Sequence, residues 1–175
     1  MKKLIPIALL LLFLSCSESK TTEKESHTLL IVTTTGMIGD AVKNIVGDQA
    51  EVISLMGPGV DPHLYKATQG DLERLQKADI IVYNGIHLEG KMSEILEKLA
   101  SKKIVISMGD GISKSRLRLL DKKAQVFDPH IWFDVELWKD AVSAMSNTLA
   151  SKVPALSAEI QKYTPIYLAA LDSLD

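Results

Sequence analysis

The chain is poor in cysteine: Cys16 is the only one in 175 residues. An intramolecular disulfide is excluded, so packing must hold the fold. Phosphate-binding loops are missing too, since Gly36-Met37-Ile38-Gly39 matches neither GxGxxG nor GxxxxGK[ST], and no nucleotide site is indicated. No HExxH helix is present. A net charge of −2, with 24% charged and 46% hydrophobic residues, gives neither a nucleic-acid surface nor a disordered composition. The apolar run 4–14 would reach only about 16 Å as a helix, roughly half the hydrocarbon thickness of a bilayer. Such a segment targets rather than spans.

Histidine is also scarce, which makes its placement informative. Two of the four histidines occupy the same setting, Asp61-Pro62-His63 and Asp128-Pro129-His130. Proline fixes its own φ near −65° and drives the residue before it into an extended conformation. Each Asp-Pro unit therefore carries its histidine on a stiff, non-helical lead. Imidazole is the commonest protein ligand for zinc and also serves manganese and iron. Two pre-aimed imidazoles make His63 and His130 candidate metal ligands, against the alternative of two surface turns. Asp61 and Asp128 either orient the imidazoles as carboxylate partners or only bond backbone amides in their own turns.

Lys2 and Lys3 followed by the apolar run 4–14 form the basic and hydrophobic regions of an export signal over residues 1–15. Phe13-Leu14-Ser15-Cys16 resembles a bacterial lipoprotein box, with Phe where Leu is usual. The resemblance implies lipidation of Cys16; the alternative is a plain cleaved signal with an incidental cysteine. Residues 17–28 hold no large apolar side chain, so 16–28 reads as a flexible tether. His27 lies there and receives no role.

Beyond the tether, strands are expected at 29–35, 51–56, 79–83 and 103–108. Helices are expected from 36 to a stop at Gly47, over 69–77 after Thr68, through Met92, Ile95, Leu96 and Leu99, and from Asp134 to about 151. Strands alternating with helices call for an α/β fold, a four-stranded parallel sheet flanked by helices. Ligands of such sheets bind beyond the carboxyl ends of the strands. Both Asp-Pro-His units follow strands there, His63 after the second and His130 after the fourth. Between the fourth strand and His130, residues 109–126 form a polar, basic connection long enough to be functional or mobile. Residues 155–175 show helical spacing interrupted by Pro165 and carry more apolar residues than a short terminal helix needs.

Three stretches resemble a known family: Val60-Asp61-Pro62-His63-Leu64-Tyr65, the segment 77–89 ending Asn84-Gly85-Ile86-His87-Leu88-Glu89, and Phe127-Asp128-Pro129-His130-Ile131-Trp132. They are similar to the metal-binding lipoproteins of bacterial zinc and manganese ABC importers, the cluster A-I solute-binding proteins, of treponemal type. Members have two α/β lobes joined by a long helix, with the metal between. The resemblance implies that His63 and His130 are the first lobe's ligands, that 29–152 is the N-terminal metal-binding lobe, and that 153–175 begins the interdomain helix. A fragment or a truncated gene product is implied, its remaining ligands lying in an absent second lobe. It further implies an extracytoplasmic, lipid-anchored monomer that is not an enzyme, with Zn2+ or Mn2+ as transported ligand and an ABC permease with its ATPase as partners. A metal-dependent hydrolase or a surface adhesin is the alternative. The 109–126 connection lacks the histidine-rich loop of dedicated zinc members, which leans towards manganese or mixed use. Two imidazoles leave an ion's other positions to water, so the isolated lobe should bind weakly. His87 reads as a loop-packing residue or a third ligand, Glu89 as a favourable start to the next helix, and Tyr65, Trp132 and Trp138 as packing residues.

Overall fold

The computed structural model describes residues 28–174. The export signal, Cys16, the tether up to residue 27 and His27 lie outside the described residues. The β-branched run Leu29–Thr35 forms β1, flanked in the sheet by β2 (Ala50–Met56) and β3 (Ile80–Tyr83), with β4 (Ile104–Ser107) beyond β3. All pairings are parallel, in the order β2-β1-β3-β4. Because successive strand residues face opposite sides, Ile31, Ile80 and Val82 enter one hydrophobic layer, while Val32 and Ile81 enter the other. A strand buried on both faces needs an unbroken apolar run, and that is how β1 and β3 read.

Helices α1 (Gly36–Val46), α4 (Val135–Lys152) and α5 (Ser157–Leu171) cover the first face, and α2 (Gln69–Lys77) and α3 (Ser93–Ala100) the second. The α1 helix lies so close to the sheet that a Cβ on Gly39 would sit 2.0 Å from the Ser54 hydroxyl. Helix α2 starts from a reciprocal cap: Thr68 accepts from Asp71 N while Asp71 accepts from Thr68 N. Asp134 caps α4 by accepting from Leu137 N at 3.0 Å.

Within the 109–126 connection lie a 3-10 turn at Gly109–Gly111 and most of an antiparallel ribbon, β5 (Leu119–Asp121) with β6 (Val126–Phe127). Its short strands, exposed on both sides, lack the apolar alternation that marks a strand in sequence. One expectation needs correction: Pro165 does not interrupt α5, which runs through it. Packing of Ile160 and Leu171 into the core outweighs the lost backbone hydrogen bond.

The strand order also creates a switch point. The chain moves from β1 to β2 on one side, then crosses to β3 on the other, so the loops after β1 and β3 part beyond the carboxyl ends. In sequence, His63 follows the edge strand β2 and His130 follows the opposite edge strand β4, after the β5–β6 ribbon.

Candidate metal centre

The two loops arch over the sheet and meet. His63 and His130, 67 residues apart in sequence, approach Nε2 to Nε2 at 3.2 Å, with ring centroids 5.2 Å apart and planes at 65°. Two nitrogens bound about 2.05 Å from one ion, at angles of 90–109°, would stand roughly 2.9–3.4 Å apart. The observed 3.2 Å falls within that range. Both rings reach solvent, so an ion can enter directly.

The two imidazoles are held differently. In the first turn, Asp61 Oδ1 accepts from His63 N at 2.9 Å, and the Asp61 carboxylate orients backbone only. In the second, Asp128 Oδ1 accepts from His130 N at 3.1 Å and also from the ring Nδ1 at 2.7 Å. A carboxylate can only accept, so Nδ1 carries a proton, and in the neutral ring this leaves the Nε2 lone pair facing His63. The hydrogen bond from His130 N, seconded by the ring N–H, holds the Asp128 carboxyl below its usual range despite some desolvation. Trp132 stands edge-on to the His130 ring at 5.3 Å. Of the two readings open for these aspartates, ring orientation describes Asp128 and backbone bonding describes Asp61.

Tyr65 does more than pack. Its hydroxyl donates to Asp71 Oδ2 at 2.6 Å, tying the loop that carries His63 to the start of α2. Burial, then this bond, pushes the phenol up to about 12. Burial opposes ionisation of Asp71, but hydrogen bonds from Thr68 and Tyr65 outweigh it and hold that carboxyl low.

Glu89 overturns its sequence reading. It does not open a helix, because α3 begins at Ser93; it is 2% exposed, inside the switch point. Its Oε1 accepts from the Thr34 hydroxyl at 2.6 Å and from Asn84 N at 2.7 Å, and its Oε2 from Gly85 N at 3.1 Å. Burial pushes this carboxyl above its ordinary value, and the three donors only partly offset that. Asn84, 1% exposed, donates from its side-chain amide to Pro129 O at 2.9 Å. Sequence reasoning missed this network. The available signal was a glutamate five residues after Asn84-Gly85 at the end of a buried strand, where a charge needs partners.

His87 is exposed and lines a small cavity with Tyr83, Glu97 and Asp110. Among the described residues no cluster of three or more His, Cys, Asp or Glu side chains could hold a metal, so the two imidazoles meet without a third such side chain. Trp138 is buried in the core. Beside the pair runs a cleft of about 760 Å³ bordered by Pro62, Trp132, Met56 and Leu171.

A parallel α/β lobe that aims two imidazoles at one point beyond its strand ends defines a class, the metal-binding kind of solute-binding lobe. The chain belongs to the family described as zinc-uptake complex component A, periplasmic, whose model matches residues 31–175. It is 48% identical over 146 residues to the zinc-binding protein TroA of Treponema pallidum, covering 83% of this chain and 47% of TroA. The solved structure of that periplasmic zinc-binding protein superposes with a TM-score of 0.79 at 46% identity, covering 85% of this chain and 53% of the other. The manganese-binding lipoprotein MntA of Bacillus subtilis is 38% identical over 160 residues, covering 91% of this chain and 52% of MntA. The iron ABC transporter substrate-binding lipoprotein MtsA of Streptococcus pyogenes is 31% identical over 170 residues, covering 94% and 54%. The chain thus spans about half the length of the relatives it matches. These relatives are metal-binding and transporter substrate-binding proteins rather than enzymes, and they lend no support to the hydrolase or adhesin alternatives.

Proposed function

We propose that this chain is the metal-capturing lobe of an extracytoplasmic ABC-importer component, with His63 and His130 as two of the ligands of a transported Zn2+ or Mn2+ ion. The 3.2 Å separation of the two Nε2 atoms carries this reading. In it, 29–152 is the lobe, 153–175 begins the helix to a second lobe, and a lipid on Cys16 anchors a monomer near its permease and ATPase. Leu64 is 69% exposed and Phe133 80% exposed, each beside one of the histidines. Apolar side chains so placed suit a surface that another lobe covers.

Chemically, the lobe supplies two neutral nitrogen donors and a carboxylate that fixes one ring. In this chain alone an ion's other positions fall to water, so its binding should be weak. Titration of the chain with Zn2+ and with Mn2+ against a chromogenic chelator tests the reading. Weak one-to-one binding, lost in both His63→Ala and His130→Ala, is the expected result. Binding that survives either substitution would overturn it.

A further inference from the structure

Three consecutive residues beside the centre occupy the left-handed region: Gly85 at φ 77°, Ile86 at 53° and His87 at 62°. Glycine takes this conformation freely, but β-branched isoleucine does so rarely. Such a run persists only where its surroundings over-determine it. Here the surroundings are specific. Glu89 accepts from both Asn84 N and Gly85 N, Leu88 N closes back on Gly85 O at 3.0 Å, and the Ile86 side chain lies where a Cβ on Gly109 would have to go.

Directly before the strained run stands the buried Asn84 side chain. Its amide nitrogen donates to Gly85 O at 3.0 Å and to Pro129 O at 2.9 Å. The reverse orientation would set the amide oxygen against two carbonyl oxygens, so the donors must point this way. Pro129 O is also the acceptor of Ile131 N at 2.9 Å, across His130 at φ −82°, ψ 55°. Those values describe an inverse γ-turn with His130 at its centre. Asn84 therefore grips the closing carbonyl of the turn that presents the imidazole.

We infer that Asn84 is a positioning residue for His130, and that Glu89, tied to β1 through Thr34, holds Asn84 at that station. This rests on the metal-capture reading for its consequence, but its structural content concerns His130 alone. His63 has no equivalent, since its turn is linked to α2 through Tyr65 instead. Positioning partners of metal histidines commonly matter by about 10–100-fold in affinity.

The test uses the full chain, Zn2+ competition against a chelator, and histidine-ring 1H–15N spectra of the metal-free protein. Asn84→Ala should weaken Zn2+ binding by about 10–100-fold and move the His130 ring signals, with a smaller shift for His63, whose Nε2 lies 3.2 Å away. Glu89→Gln keeps an oxygen for Thr34 and Asn84 but opposes a donor to Gly85 N, so it should produce a smaller change of the same kind. If Asn84→Ala does not fold, Asn84→Ser, whose hydroxyl is too short to reach Pro129, carries the same expectation. Unchanged affinity with unmoved His130 signals overturns the inference, as does equal movement of both histidines, which would mean general loosening. Failure of the metal reading looks different: His63→Ala and His130→Ala would leave Zn2+ binding intact, while the ring spectra would still decide the role of Asn84.

Discussion

The Tyr65 hydroxyl donates to the Asp71 carboxylate at 2.6 Å, joining the loop that carries His63 to the cap of α2. The same carboxylate accepts from Thr68 N and the Thr68 hydroxyl, so one buried oxygen collects three donors. Asp71→Asn should cost about 2 kcal/mol near neutral pH, the scale for hydrogen bonds to a charged group. Its folded value lies below the unfolded 3.8, so this contribution is fully present above that value and is lost as pH falls through the folded one. Urea midpoints of the two proteins should differ most at about pH 7 and converge as the pH falls below 3.8 through the lowered folded value. A gap that does not shrink in acid would refute the assignment.

The unequal treatment of the two aspartates gives a second expectation. Asp128 holds both the backbone and the ring of His130, whereas Asp61 holds only the backbone of His63. Asp128→Ala should lower Zn2+ affinity about 10–100-fold, the usual effect of removing a carboxylate behind a metal histidine. Asp61→Ala should do much less. Chelator competition on the two variants compares them directly, and equal losses would show that the ring contact does not matter.

Gly85 is a third test. Its φ of 77° costs any other residue about 1–2 kcal/mol, and a Cβ there would meet the Ser107 hydroxyl at 2.3 Å. Gly85→Ala should therefore destabilise by about 2 kcal/mol or more. Adding Ser107→Ala should recover the steric part and leave the backbone part. Full recovery in a denaturation curve would mean that the left-handed turn is unstrained.

Pro165 offers the opposite sign. A proline inside a helix is disfavoured against alanine by about 3 kcal/mol, yet α5 runs through it on an exposed position. Pro165→Ala should stabilise by about 1–3 kcal/mol, discounted for the freer unfolded chain. A fall in thermal midpoint would show that the ring itself is needed.

The layout of the lobe was legible because its signals are local. The β-branched run at 29–35 reads as a buried parallel strand from its own residues, and Thr68 and Asp134 announce their helices by chemistry confined to one turn. The pairing of His63 with His130 was legible for another reason, the repeated Asp-Pro-His. What stayed hidden depends on partners far along the chain. Nothing near Glu89 shows that Thr34 will arrive 55 residues away to solvate it, nor does Asn84 announce that Pro129 will lie within its reach. Pro165 misled because propensity is local, whereas the packing that overrides it comes from α1 and α4.

The order β2-β1-β3-β4 sets β2 and β4, the strands that precede the His63 and His130 loops, at opposite margins of the sheet. Three interstrand gaps, roughly 14 Å in all, must be bridged before the rings can touch. The gap is closed from the middle of the sheet, because Asn84, at the end of the inner strand β3, holds Pro129 O next to His130. The outer strands deliver the two loops, and an inner strand decides where one of them stops.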